Sequence, residues 1–191
     1  MGFIQKATVV AAVVMAATVQ LAYADDAGLV QNDVFSITLP AGFAPFAKQS
    51  QSATDPAGKK IETTNWVSKS PTGEAVVVTM SQMPGKILEP EKLIASTRDS
   101  LLKTLKATLE SEEKKEGDLP AARLLFRSNA AVFRSRLIVD GDRFLQILYV
   151  GHTAEQRSVP AVGQMFDSFR IEKPHTEHAM ATPAPAPAKA P

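Results

Sequence analysis

The stretch RLIVDGDRFLQILYVG, residues 136–151, decides the fold of this chain. Asp140-Gly141 stands between two runs of large apolar and β-branched residues, and such runs favour β-strands. Aspartate and glycine both tolerate the positive φ angles that a tight hairpin turn requires. The stretch therefore predicts two antiparallel strands, 132–140 and 143–151, joined by a short turn.

The hairpin divides its side chains between two faces of a sheet, because successive strand residues point to opposite sides. One face receives Phe133, Leu137, Val139, Phe144, Leu148 and Val150. The other receives Arg134, Arg136, Ile138, Arg143, Leu145, Ile147 and Tyr149. The preceding run continues the pattern, with Leu124 and Phe126 opposite Arg123, Leu125 and Arg127. We predict that both faces are covered and that the arginines lay their aliphatic stems over apolar surface, with their charged ends in water.

Further strands are predicted on both sides of this hairpin. Alternating or β-branched runs occupy 34–40, 61–70, 74–83 and 120–128, and a short final strand is expected at FRI, 169–171. The segment 41–60 is rich in Ala, Ser, Gln, Pro and Gly, and it is predicted as a long loop.

Two helices are predicted to cover the sheet. The first is long and lies within 89–117, where Ile94, Leu101, Leu105 and Leu109 follow helical spacing. Its last residues, ESEEKKEG, are expected to form a solvated helix end. The second helix is shorter and spans 154–169. Its apolar side chains are expected on the arginine-bearing face: Val162, Met165, Phe166 and Phe169.

These elements define one α+β domain over 31–172. We expect an antiparallel sheet of about six strands, packed by one long helix and a shorter C-terminal helix, which is an αβα sandwich. Apolar residues make up 45% of the 191 residues, which is enough for a packed core.

The two ends of the chain carry their own signals. Residues 1–24 combine a basic start at Lys6, sixteen uncharged residues and a small-residue site, Ala22-Tyr23-Ala24, which predicts a cleaved secretory signal peptide. The alternative is that the segment is kept as a membrane anchor. Residues 173–191 contain five prolines, three of them alternating with alanine, and are predicted to be a disordered, polyproline-like tail. We therefore expect a periplasmic or secreted protein without a stable membrane span after cleavage.

Composition excludes several classes of function. The chain has no cysteine, which excludes disulfides, thiolate metal sites and cysteine nucleophiles. Its formal net charge is +1, too small to indicate nucleic acid as a partner.

Three short stretches mark the ends of predicted elements: LPAGF at 39–43, GDRFLQILYVG at 141–151 and FDSFRI at 166–171. In this order, around the long helix, they resemble the PsbP-like αβα-sandwich family. That family is named after an extrinsic subunit of photosystem II and includes many small exported bacterial proteins. The resemblance implies the sandwich fold over nearly the whole domain. It implies no catalytic residue and no cofactor, because the family shares no catalytic motif.

The leading candidate site is a stripe of arginines on one sheet face: Arg123, Arg127, Arg134, Arg136 and Arg143. Guanidinium groups form bidentate contacts with carboxylates and phosphates, so the stripe suits an acidic envelope protein or an anionic polymer. The alternative is a solvated or ion-paired face without a ligand.

A second candidate is an apolar pocket beside the 41–60 loop, formed by Phe43, Phe46 and Trp66. It would make the protein a carrier or sensor of a small ligand. The alternative is that these aromatic side chains are the edge of the core.

Catalytic and metal sites have weaker support. His152 would need Asp142 or Asp167 beside it to act as a general base, and no nucleophile or phosphate-loop motif is found. His175 and His178, with Glu177 between them, are the one candidate metal pair, but they lie in the proline-rich tail and no metal is predicted. The sequence therefore favours an exported, non-enzymatic accessory or binding protein of the cell envelope, with an enzyme as the third alternative.

Overall fold

The computed structural model describes residues 28–54, 58–114 and 119–172. The predicted signal peptide, the proline-rich tail, His175 and His178 lie outside these residues. The strands are β1 Gly28–Gln31, β2 Phe35–Leu39, β3 Ala47–Thr54, β4 Lys60–Lys69, β5 Ala75–Gln82, β6 Thr108–Lys114, β7 Ala121–Arg127, β8 Val132–Asp140, β9 Arg143–Gly151 and β10 Arg170–Ile171. The helices are α1 Pro90–Thr104, α2 Ala154–Ser158 and α3 Pro160–Ser168.

Seven of these strands form one antiparallel sheet in the order β3-β4-β5-β9-β8-β7-β6. The β8–β9 hairpin closes as predicted, with Asp140 paired to Arg143 and Gly141 at a φ of 66° in the turn. A second sheet joins β1, β2 and β10. The predicted α+β class with a large antiparallel sheet is confirmed, and the large sheet has one strand more than the expected six.

Helix α1 covers one face of the large sheet over β7 and β8. Its side chains Ile94 and Leu101 are buried there, and the rings of Phe126 and Phe133 stack at 4.9 Å. The predicted apolar face is therefore confirmed. The buried core of this side consists of Ile94, Leu101, Ala122, Leu124, Phe126, Phe133, Leu137, Val139 and Phe144.

Helix α3 and the small sheet cover the opposite face. Strand β2 contributes Phe35, whose ring stacks on Phe169 at 5.6 Å. The predicted set Val162, Met165, Phe166 and Phe169 is buried on this side together with Leu145, Ile147 and Tyr149. The arginine-bearing face is thus a second core, and its charged residues lie at the edge of that core.

The prediction of one long helix over 89–117 is wrong in its second half, because α1 ends at Thr104. Lys106 adopts a φ of 49°, and the amide of Ala107 donates to the carbonyl of Leu102 over 2.9 Å, as in a Schellman helix end. Residues 108–114 then form β6 and pair with β7. Leu109 lies opposite Phe126 in that ladder, so its helical spacing was coincidental.

The prediction of a loop over 41–60 is also wrong, because residues 47–54 form the edge strand β3. All eight residues pair with β4, and seven of them are exposed. A strand with water on both faces has no reason to alternate apolar with polar residues. The pattern on which strand prediction depends is therefore absent from this segment.

The predicted second helix is divided at Val159, which precedes Pro160 and takes an extended ψ of 132°. Proline disfavours helical geometry at the residue before it, so the chain turns between α2 and α3. This break makes α2 and α3 two separate helices. The residues that follow α3 then reach β10, which pairs with β2.

Candidate functional site

The register of β7 and β8 places Arg123 directly opposite Arg136. Like charges in directly opposed positions of a sheet repel each other and destabilise the pairing. Both side chains extend toward the C-terminal end of α3. There, Arg123 binds the carboxylate of Asp167 at 3.2 Å, and Arg136 donates to the carbonyl of Phe166 at 3.3 Å.

A third arginine, Arg170, comes from the short strand that follows α3. Its guanidinium donates to the carbonyls of Asp167 and Phe169, at 2.6 and 2.9 Å. The three arginines and Asp167 line a cavity of about 440 Å³ between the sheet and the end of α3. We call this cavity the arginine groove. Its other lining residues are Leu119, Ala121, Ile138, Phe169 and Ile171.

The arginine groove has an apolar base. Ala121 and Ile138 come from the sheet and Phe169 from the end of α3, and all three belong to the second core. Leu119 and Ile171 are more exposed than these three. The groove therefore combines charged walls with apolar surface that a ligand can still cover, and that surface belongs to Leu119 and Ile171.

Positive charge exceeds negative charge in the arginine groove. Three guanidinium groups line it, and Asp167 is the one carboxylate among the described residues that do so. Among these described residues the excess is two positive charges. Glu113 is the register partner of Arg123 on β6, but its side chain is exposed and it does not line the groove.

Burial makes this excess costly. It lowers the pKa of Arg136, and the nearby charges of Arg123 and Arg170 lower it further, against the opposing effect of Asp167. The Nε atoms of Arg123 and Arg136 are buried without a hydrogen-bond partner among the described residues. Each unsatisfied buried donor costs about 1–3 kcal/mol. Arg136 is thus a half-buried cation without a carboxylate partner among the described residues, whereas Arg123 is paired with Asp167 and Arg170 is exposed to solvent.

Arg134 lies beside the groove on the same face. Its guanidinium carbon stands 4.9 Å from the centre of the Phe166 ring, a cation–π contact. A Cβ at Gly163 of α3 would be 3.6 Å from its Nη1 atom, so the guanidinium lies close to the helix backbone. Burial lowers the pKa of Arg134 as well.

The other two arginines of the predicted stripe are ion-paired elsewhere. Arg127 binds Glu110 at 3.1 Å, and Arg143 binds Asp140 across the hairpin turn. The predicted stripe of five is therefore not one continuous surface. The structure brings Arg123 and Arg136 together, places Arg134 beside them and adds Arg170, which sequence reasoning missed.

Phe43, Phe46 and Trp66 pack as core around Phe35. Phe43 and Trp66 are each 5% exposed, and Phe46 is partly buried against the same core. The Phe35 ring meets Trp66 at 5.1 Å and Phe46 at 6.0 Å, both edge to face. This corrects the prediction that these residues form a ligand pocket beside a loop, because the neighbouring chain is strand β3 and the rings fill the space between the sheets.

The pairing of His152 with Asp142 is excluded. Asp142 lies in the turn before β9 and His152 follows the end of that strand, a separation of roughly 30 Å for an extended chain. Asp167 is held by Arg123. The carboxylate close to His152 is instead Glu74, which sequence reasoning also missed.

Glu74 is the acceptor of a hydroxyl network. Its Oε1 accepts a hydrogen bond from Tyr149, and its Oε2 accepts from Thr72 at 2.6 Å and from Ser70 at 3.2 Å. Burial acts to raise the pKa of Glu74, but the three donors and the nearby His152 outweigh it and the pKa is lowered. Burial and then the bond to Glu74 raise the pKa of Tyr149. The network ties the β4–β5 turn to the end of β9, and it occupies both oxygens of the carboxylate.

Among the described residues, no cluster of three or more histidine, aspartate or glutamate side chains is arranged to hold a metal ion. In the same residues, no helix has both the length and the apolar character to cross a membrane.

These observations define a PsbP-like α+β fold, with a large antiparallel sheet and a basic groove beside its last helix. Among solved structures, the chain is similar to the solution structure of cyanobacterial PsbP (CyanoP) from Synechocystis sp. PCC 6803, with a TM-score of 0.52. The alignment covers 77% of this chain and 93% of that one at 14% sequence identity, so it shows the fold alone. No family model matches the sequence. No curated protein matches it significantly.

Proposed function

We propose that this chain is an exported, non-enzymatic binding protein of the cell envelope that holds an anionic group in the arginine groove. The observation that carries the proposal is the directly opposed pair Arg123 and Arg136, half-buried and short of negative charge. The contacts with Asp167 and with the carbonyl of Phe166 offset only part of the cost of this pair, because an apolar residue at either position would remove both the repulsion and the desolvation. Binding of an anion would explain why both positions carry an arginine.

The predicted signal peptide over 1–24 supports export, and hence a periplasmic or secreted location. The proposed partners are an acidic envelope protein or an anionic envelope polymer that presents its charged group to the groove. Guanidinium groups favour carboxylate and phosphate oxygens over other acceptors, because they offer two parallel donors to each anion.

A carrier or sensor of a small ligand is the second candidate. The cavity volume of about 440 Å³ favours it, since pockets for small molecules have roughly 300–1,000 Å³. This candidate uses the arginine groove in place of the predicted pocket at Phe43, Phe46 and Trp66. The two candidates share the same anion-binding residues, so one set of variants tests both.

The test is affinity capture from native envelope extract, followed by mass spectrometry for proteins and small molecules. The bait is the chain from residue 25 onward, compared with the double variant Arg123→Gln/Arg136→Gln and with Arg127→Gln. The last variant is the control, because Arg127 is an exposed arginine paired with Glu110 outside the groove. We expect a molecule that the unchanged chain and the control capture and the folded double variant does not. Equal capture by all three contradicts the proposal.

A further inference from the structure

We infer that the arginine groove selects an anion with two negative charges beside an apolar group, as in an aryl or alkyl phosphate monoester or a dicarboxylate. This inference rests on the proposed function and specifies its ligand. Two properties of the groove carry it independently, namely its charge balance and its exposed apolar residues, Leu119 and Ile171.

The charge balance favours a dianion. Arg123 is already paired with Asp167, whereas Arg136 and Arg170 donate only to backbone carbonyls within the described residues. A carbonyl is a neutral acceptor and leaves the positive charge in place. A ligand with one negative charge would neutralise one of these two guanidinium groups. A ligand with two would neutralise both.

The positions of the arginines suit a bridging ligand. Arg136 reaches the groove from the sheet, and Arg170 reaches it from the chain that leaves α3. The two cations therefore stand on different walls of the same cavity. An anion between them can take donors from both sides, and a second anionic oxygen pair improves both contacts.

The exposed apolar residues of the groove favour an organic ligand over a free inorganic ion. Leu119 and Ile171 line the groove and are partly exposed, whereas Ile138 and Phe169 are already buried in the second core. A hydrated ion would leave Leu119 and Ile171 in contact with water, whereas a ring or short chain would cover them. Burial of apolar surface favours association in proportion to the area that is removed from water.

The experiment is isothermal titration of the chain from residue 25 onward with four probes at pH 8 and low salt. Phenyl phosphate and phthalate are dianions with a ring, benzoate is a monoanion with a ring, and inorganic phosphate is a dianion without one. We expect at least one of the two ring dianions to bind about tenfold more tightly than both benzoate and inorganic phosphate. The difference in affinity between phenyl phosphate and phthalate shows whether the natural ligand is a phosphate ester or a dicarboxylate.

Variants separate this inference from the proposed function. Arg136→Gln should weaken the binding of the tightest probe at least about tenfold, because a charge-assisted hydrogen bond is lost. Arg127→Gln should leave the affinity for that probe unchanged. Circular dichroism and thermal unfolding confirm that both variants are folded. If benzoate or inorganic phosphate binds as tightly as the ring dianions and Arg136→Gln abolishes that binding, the inference is overturned and the proposed function stands. If no probe binds, or binding is unchanged in Arg136→Gln, both are overturned.

Discussion

Tyr149 donates its phenolic hydrogen to Glu74, which stands 75 positions earlier in the chain. The bond joins the middle of the large sheet to the turn between β4 and β5. Tyr149 is fully buried, and the carboxylate also collects the hydroxyl groups of Ser70 and Thr72. One carboxylate therefore fixes the conformation of the turn and its position against β9.

Removal of this carboxylate charge should change the acid stability of the protein. The folded pKa of Glu74 lies below its ordinary value of 4.5, so the ionised form stabilises the fold. That stabilisation is fully present above the unfolded pKa and is lost as the pH falls through the folded pKa. We expect Glu74→Gln to lower the free energy of unfolding at pH 7 and to have a progressively smaller effect below pH 4.5. Urea unfolding at several pH values measures this difference.

The matched control is Tyr149→Phe, which removes one donor to Glu74 and keeps the ring. We expect it to lower the free energy of unfolding by about 1–2 kcal/mol at pH 7. The double variant should lose less than the two single losses together, because Glu74→Gln weakens the bond that Tyr149→Phe removes. Additive losses in that cycle would show that the carboxylate charge contributes nothing to this bond.

Gly73→Ala should destabilise the fold through two separable effects. Gly73 has a φ of 86°, which an alanine adopts at a cost of about 1 kcal/mol. In addition, the new Cβ would lie 2.8 Å from Nε2 of His152, so the imidazole must move away. We expect the free energy of unfolding to fall by more than the backbone cost alone.

Gly42→Ala is the control for the backbone effect. Gly42 has a φ of 82°, and a Cβ there meets no heavy atom within 4 Å. If Gly73→Ala lowers the free energy of unfolding more than Gly42→Ala does, the difference is the contribution of the contact with His152. Adding His152→Ala to Gly73→Ala should remove that extra loss, and an unchanged deficit would mean that the contact with His152 is unimportant.

Lys106→Gly should stabilise the protein. Lys106 holds the left-handed position of the Schellman motif at the end of α1, with a φ of 49°. A non-glycine residue is strained by about 1 kcal/mol in this conformation, partly offset by the greater freedom of glycine in the unfolded chain. We expect a net gain of about 0.5 kcal/mol in thermal or urea unfolding.

The control is Lys103→Gly one turn earlier, inside the helix. At that position glycine acts only through its low helix propensity, and we expect the free energy of unfolding to fall by about 0.5–1 kcal/mol. A loss of similar size at Lys106 would contradict the assignment of a helix end at that position.

The sequence was sufficient for the parts of the fold where local and non-local signals agree. The β8–β9 hairpin carries turn chemistry at Gly141 and alternation on both strands, so its register and both of its faces follow from the residues. The residues 108–114 lack such agreement. They are charged and helix-compatible, and only pairing with β7, a non-local interaction, makes them a strand. Strand β3 is likewise defined by its partner and not by its own polar sequence.

The candidate site was predictable to the same extent. Arg123 and Arg136 share a face because strand periodicity places them there, and that much follows from the sequence. Arg170 belongs to the FDSFRI stretch at 166–171. Its position at the groove depends on the pairing of β10 with β2, which joins the two ends of the domain. The ion pairs that remove Arg127 and Arg143 from the stripe depend on side-chain geometry that spacing does not fix.

Arg136→Met should make the protein more stable and unable to bind its anion. Arg136 faces Arg123 across the sheet, its Nε has no partner among the described residues, and burial lowers its pKa. Methionine keeps the apolar stem and removes the repulsion and the buried charge. We expect the free energy of unfolding to rise by about 0.5–1 kcal/mol in urea denaturation.

Arg143→Met is the informative comparison. Arg143 is also removed from water, but unlike Arg136 it is paired with a carboxylate, that of Asp140. Its side chain is 14% exposed and binds Asp140 and the carbonyl of Glu172. Loss of that arginine leaves Asp140 without its cation, so this variant should be less stable than the unchanged chain. Opposite signs for the two substitutions would show that Arg136 is retained at the expense of stability, as expected of a residue kept for binding. Destabilisation by both would instead make Arg136 a structural residue and remove the main support for the arginine groove as a ligand site.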